Sequence, residues 1–202
     1  MSLACMHLWY RKLRSTGQRH DYPNKMINRK ELAKKIYSLS HITGEFVLRS
    51  GEVSNEYFDK YQFEGDPVVL KAISEQIQEL ITGKIDALAG LEMGGIPIVT
   101  MLSQVSGIPA LFVRKKAKEY GSSKIAEGGD VSGKKILVVE DVVTSGGQII
   151  LSATELRRQE AIVEDVVCVI DREAGGNEKL AKEGLKLHSL FTVSELKNSM
   201  KG

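Results

Sequence analysis

Two adjacent carboxylates, Glu140 and Asp141, follow the aliphatic run Lys135-Ile-Leu-Val-Val and lead through Val142 and Val143 into Thr144-Ser145-Gly146-Gly147-Gln148. A turn of this kind at a helix N-terminus offers successive backbone N–H groups and two hydroxyls, a setting that suits a phosphate. Gly146 and Gly147 carry no side chain to hold a ligand away from the backbone. Glu140 and Asp141 would repel a phosphate placed beside them. They can instead accept hydrogen bonds from a sugar diol whose phosphate reaches the turn. A phosphorylated ribose has that shape. The Gly-Lys-Ser/Thr ending of a Walker loop is absent.

A basic cluster, Arg114-Lys115-Lys116-Ala117-Lys118-Glu119-Tyr120-Gly121, precedes a small-residue stretch ending at Gly128-Gly129. A cationic loop between glycines can close over a polyanion, neutralise it and exclude water. Most such runs are solvated surface, but the phosphate-type turn elsewhere in the chain favours a functional reading. A third loop, Gly90-Leu-Glu-Met-Gly94-Gly95-Ile96-Pro97, offers backbone N–H groups suited to pyrophosphate. His7, His20, His41 and His188 are scattered, and no His/Cys cluster offers a transition-metal site.

These loops need a scaffold, and the hydrophobic pattern supplies one. Asn28 caps a helix through Ser40, and Asp66-Pro67 opens a second with Val69, Ala72, Ile73, Ile77 and Leu80 inward. Residues 56–63, rich in aromatics, predict a strand or hairpin arm. Short apolar runs at 87–89, 110–113, 135–139, 163–170 and 185–190 predict strands, and 96–105, 148–159 and 177–183 predict helices between them. The expected fold is α/β, an open, mostly parallel sheet flanked by helices. In such sheets ligands bind beyond the carboxyl ends of the strands, where all three loops lie.

The chain has 202 residues, 42% hydrophobic and 27% charged, which suits one globular domain. Residues 1–25 carry five basic groups against Asp21, a net of +4, so the whole-chain +2 leaves −2 for residues 26–202. A near-neutral body argues against a broad nucleic-acid surface. The basic head reads as a non-native or misassigned start, a disordered arm, or a weak targeting or nucleic-acid tail, with Met26 a natural alternative start. No run approaches the roughly 18 apolar residues of a membrane span. Two cysteines, Cys5 and Cys168, cannot frame a disulfide-rich fold, so a reducing cytoplasm is expected, with Cys168 buried in a strand.

The segment V-V-E-D-V-V-T-S-G-G resembles the phosphoribosyl pyrophosphate (PRPP) motif of type I phosphoribosyltransferases. R-K-x-A-K-x-[HY]-G resembles the catalytic loop of the orotate phosphoribosyltransferase family, which reaches across a dimer interface into the neighbouring active site. The resemblance covers residues 28–196, and with it the fold gains a small N-terminal substrate subregion. It implies that Arg114, Lys115 and Lys118 bind pyrophosphate, with Tyr120 where many relatives carry His. Tyrosine holds its proton to a pKa of about 10, so at that position it can donate a hydrogen bond. It implies that Glu140, Asp141, Val142, Val143, Thr144, Ser145, Gly146, Gly147 and Gln148 bind PRPP, and that Lys118, Arg114 and Asp141 are catalytic. The segment from His41 through Tyr57-Phe58-Asp59-Lys60 resembles the family's substrate region, where Phe58 can stack on a pyrimidine and Arg49 or Lys60 can add charge. Core packing and a surface turn are the alternatives there. Arg172, in Asp171-Arg172-Glu173, falls on the orotate carboxylate, and Thr144 beside the base; a plain Asp–Arg surface pair is the alternative. Some relatives carry Lys where Gly94 stands. The resemblance further implies Mg²⁺ held mainly by substrate and water, and a homodimer. Rival readings are a phosphoribosyltransferase for a purine, xanthine or uracil, and a PRPP- or base-sensing regulator, for which 25 N-terminal residues are too few to read DNA.

Overall fold

Asn28 starts the first helix, its side-chain oxygen accepting the Glu31 N–H at 2.9 Å, and α1 (Arg29–Ser40) buries Leu32, Ala33 and Ile36 along one face. The computed structural model describes residues 26–47, 53–115 and 125–201. β1 (His41–Val47) and β2 (Val53–Phe58) follow α1 as an antiparallel pair forming a small sheet of its own. The strand expected over 56–63 therefore stops at Phe58. Asp59 accepts the Tyr61 N–H at 3.1 Å and the Gln62 side-chain amide at 3.0 Å, and the chain turns into a short helix, α2 (Tyr61–Gly65). Phe63, one of the aromatics that suggested a strand, is a fully buried residue of that helix. α3 (Pro67–Gln78) begins as expected, with Asp66 capping Val68 and Val69 and proline in the first turn.

The main sheet has six strands: β3 (Ala87–Leu91), β4 (Ala110–Val113), β5 (Ala126–Glu127), β6 (Ile136–Val143), β7 (Asp165–Asp171) and β8 (Lys186–Thr192). Their order is β5-β4-β3-β6-β7-β8, all parallel except β5, which lies antiparallel on β4. Intervening helices α4 (Gly95–Ser106), α5 (Gly147–Arg158) and α6 (Gly176–Lys182) match the expected pattern within a few residues. A closing helix, α7 (Val193–Ser199), was not expected; Thr192 and Glu195 form a reciprocal capping box at its start. Two buried apolar clusters sandwich the sheet, one including Ile36, Ile73, Leu102, Val139 and Phe191 and the other including Leu111, Val138, Ile149, Leu156 and Cys168. The buried Cys168 thiol is pushed well up, by burial first and then by the nearby Asp171.

β6 is longer than the apolar run predicts. It continues through Glu140 and Asp141 to Val143, because β7 remains alongside and pairs Glu140 with Cys168, Val142 with Ile170 and Val143 with Asp171. The acidic pair thus belongs to the strand, and the loop begins at Thr144. Among the described residues no helix is long and apolar enough to cross a membrane.

Candidate active site

β3 connects to β4 on one side of the sheet, and β6 to β7 on the other. The loops after β3 and β6 therefore part, leaving a crevice at their carboxyl ends. A cavity of about 300 Å³ fills it, lined by Lys60, Tyr61, Glu92, Met93, Lys115 and residues 140–149. Lys115, Glu140, Asp141, Val142, Val143, Thr144, Ser145, Gly146, Gly147 and Gln148 are thus brought together as expected. Gly146 holds φ at 71° directly before α5, a conformation that glycine takes without steric cost, and no side chain caps the helix. Its first-turn N–H groups remain available to an anion. The Gln148 side chain bonds the Ser152 hydroxyl at 3.2 Å, so its backbone N–H is what it can offer a ligand.

The two carboxylates are not equivalent. Asp141 is 1% exposed; one oxygen accepts the Lys60 ammonium and the other the Val142 N–H. Burial alone would lower the Lys60 pKa, but the hydrogen bond and charge of Asp141 outweigh it and raise the value overall. Glu140 is partly exposed to the cavity. Its carboxyl is pushed well up, by burial first and then by its hydrogen bond to Asp141 and that group's charge. A protonated Glu140 can donate to a sugar hydroxyl as well as accept from one.

The loop after β3 fits closely against β6. A Cβ on Gly95 would stand 2.5 Å from the Val139 carbonyl oxygen, and one on Gly94 would stand 1.4 Å from Asp141 Oδ2. Position 94 has no room for the lysine that some relatives carry. The ammonium of Lys60 reaches the same carboxylate oxygen from the N-terminal subregion. Glu92 joins this loop to the next, its Oε1 accepting the Lys115 N–H at 2.6 Å, and the Glu92–Met93 peptide is cis.

A second cavity, about 370 Å³, adjoins the first and is lined by Tyr57, Phe58, Lys60, Val142, Thr144, Ile170, Arg172 and Val193. Phe58, Thr144 and Arg172 meet here because β6 and β7 are neighbours and the Arg172 N–H donates to the Val143 carbonyl at 2.9 Å. Asp171 accepts the Glu173 N–H at 2.9 Å. α6 closes against the same loop, where a Cβ on Gly176 would lie 2.6 Å from the Thr144 carbonyl oxygen. Lys60, Val142 and Thr144 line both cavities.

The sequence offers Lys60 as a possible charge near a base, and it stands at the junction of the two cavities, lining both. Tyr61, Glu92, Met93, Ile149, Ile170 and Val193 are further lining residues to which the sequence assigns no role, and Tyr57 lines the second cavity from the segment that resembles the substrate region. Glu92 and Met93 lie in a loop the sequence does mark, whereas Val193 depends on a helix it does not foresee. Arg114 lines an adjoining hollow with Glu92, Met93, Phe112 and Glu127, its Nε 3.6 Å from Glu127 Oε1. Lys118, Tyr120 and Arg49 lie outside the described residues, as do residues 1–25. His41 pairs with Glu56 at 2.8 Å and stacks on Tyr37, while Phe46 packs on Tyr57.

The parallel sheet, its switch point and the acidic strand leading into a glycine turn define a phosphoribosyltransferase, and residues 67–195 match the family described as phosphoribosyl transferase domain. An orotate phosphoribosyltransferase of Nocardioides sp. is 47% identical over 165 residues, which cover 82% of this chain and 92% of that protein. One from Methanocaldococcus jannaschii is 39% identical over 89% of this chain and 99% of that protein. The crystal structure of Mycobacterium tuberculosis orotate phosphoribosyltransferase in complex with PRPP is similar with a TM-score of 0.73 at 28% identity, covering 84% of this chain and 98% of that one. The chain belongs to the orotate phosphoribosyltransferase family.

Proposed function

We infer that the chain transfers the 5-phosphoribosyl group of PRPP to orotate, giving orotidine 5′-monophosphate and pyrophosphate. The observation that carries this is the pair of adjoining cavities: one holds a phosphate-type turn beside the buried Asp141 and partly exposed Glu140 carboxyls, and the other holds an aromatic ring and an arginine. The ribose 5-phosphate sits on the Thr144–Gln148 turn, with Glu140 toward the ribose hydroxyls. Pyrophosphate lies toward Lys115 and the backbone of the loop after β3. Orotate enters the second cavity with its carboxylate on Arg172 and its ring against Phe58. Thr144, common to both cavities, stands beside base and sugar. A ring nitrogen of orotate forms a bond to C1′ as the bond from C1′ to the pyrophosphate oxygen breaks. Negative charge grows on the departing group, which Lys115 and the loop cations Lys118 and Arg114 stabilise.

Asp141 has both oxygens engaged by Lys60 and Val142. The donor set therefore fits Mg²⁺ held by pyrophosphate oxygens and water, its preferred company, with no cage of protein ligands. When bound, the ion supplies charge neutralisation on the leaving group. Arg114 does not line the first cavity but the hollow adjoining it, beside the exposed Met93 and Phe112. That placement supports a homodimer in which this loop serves the neighbouring site. A buried free Cys168 suits a reducing cytoplasm.

The test is product identification with PRPP, Mg²⁺ and a panel of bases. Conversion of orotate alone supports the reading; conversion of a purine or uracil with orotate untouched overturns it. Arg172→Ala is expected to raise the KM for orotate about 10- to 100-fold, the worth of a charge-assisted hydrogen bond. The KM for PRPP should change little, which initial-rate kinetics will show.

A further inference from the structure

Glu64, in the short helix α2, is a buried carboxyl that the mechanism above does not use. It is 6% exposed, and among the described residues neither carboxyl oxygen has a hydrogen-bond donor. Its N–H donates to the Lys60 carbonyl at 3.3 Å, which sets Glu64 one turn from the lysine that holds Asp141, and the carboxyl acting most strongly on it is that of Asp141. Two carboxyls facing each other need a proton between them. Asp141 takes the Lys60 ammonium and the Val142 N–H, whereas Glu64 receives neither, so the proton belongs on Glu64.

We propose that Glu64 is a positioning residue for phosphoribosyl transfer: protonated, it donates to Asp141, fixing that carboxylate and holding the Lys60 ammonium at the junction of the two cavities. The proposal rests on the reading that PRPP fills the first cavity. Charge balance gives the arrangement its purpose. Glu64, Glu140 and Asp141 surround one ammonium, and with Glu64 and Glu140 protonated the cluster is neutral. Loss of the Glu64 proton sets a negative charge beside a polyanionic ligand. Burial first, and then the charge of Asp141, raise the Glu64 pKa from 4.5 to about 8. The charged groups acting on it are Asp141 of β6 and Lys60 and Asp59 of the preceding turn. Glu140 completes the cluster through Asp141. The buried residues of α1 and α3, packed on the same helix, include no titratable group.

The experiment measures kcat and the KM for PRPP from pH 6.5 to 9.5 for the wild type, Glu64→Gln and Glu64→Leu. PRPP binding is followed in parallel by calorimetry without any base. Wild-type affinity for PRPP should fall about fivefold from pH 8 to pH 9, the drop in protonated fraction of a single group titrating at about 8. Glu64→Gln, which still donates and cannot ionise, should keep most of the pH 7 activity and lose this limb near pH 8. Glu64→Leu, which cannot donate, should show a raised KM at every pH. The folded carboxyl keeps its proton where the unfolded one releases it, so its contribution to stability is complete below pH 4.5 and is lost as pH rises to about 8. Wild-type Tm should therefore fall relative to Glu64→Gln across that range. A Gln variant that retains the wild-type limb, or behaves like the Leu variant, overturns the proposal. Failure of the underlying reading is distinguishable, since the wild type would then bind no PRPP while the Tm difference persisted.

Discussion

Gly94→Ala is expected to lower Tm by about 8–16 °C, the scale for a loss of roughly 4 kcal/mol in a domain of this size. The added methyl carbon would stand 1.4 Å from Asp141 Oδ2 and 2.4 Å from its Cγ, inside the volume those atoms occupy. Asp141 cannot yield cheaply, because it is buried within β6 and tied to Lys60 and to the Val142 N–H. Rotating it away would leave a buried carboxylate and an ammonium apart, a loss of about 3–5 kcal/mol. Moving the loop instead would drag α4 from the Val139 carbonyl, against which Gly95 is already seated. Either route opens the pyrophosphate side of the cavity, so the KM for PRPP should rise more than tenfold in whatever protein remains folded. Gly65→Ala is the control: a Cβ there meets nothing within 4 Å, and Tm should hold or rise slightly. An unchanged Tm and KM in Gly94→Ala would show that the loop has slack.

Lys118→Ala should reduce kcat about 10²- to 10³-fold, the effect of removing one donor from a charge-stabilising site. PRPP binding, assigned under the proposed function to the Thr144–Gln148 turn and Lys115, should stay within a few-fold by calorimetry. A matching loss of binding would assign Lys118 to ground-state attraction instead of the chemical step. Mixing Lys118→Ala with Gly94→Ala adds a second readout. If the loop crosses between subunits, some mixed dimers hold one site with an intact cavity and an intact loop, and activity returns. No recovery on subunit exchange would place the loop over its own cavity.

The sheet was legible because β3, β6 and β7 are buried on both faces, which demands uninterrupted aliphatic runs. The turn at Thr144–Gln148 was legible because an anion site at a helix N-terminus is built from local backbone. What escaped depended on contacts between distant segments. Nothing near Glu140 in sequence announces that β7 will keep pairing past it, nor that Asp141 will be claimed by Lys60, 81 positions away. Asp59 stopped an aromatic stretch that on propensity alone should have stayed extended. Glu64 gave no signal, since an isolated glutamate on a short helix ordinarily faces water.

Because Glu140 and Asp141 lie inside the β6–β7 ladder, the acidic floor of the site shares the cooperativity of the sheet. Its amides should exchange with solvent only through global opening, while those of Glu92 to Gly94 exchange by local opening. Working temperature therefore cannot be adapted by loosening the floor without risking the fold. Any evolutionary adjustment of turnover falls to the loops around it, and changes that speed the enzyme in the cold should accumulate after β3 and β4, leaving β6 as it is.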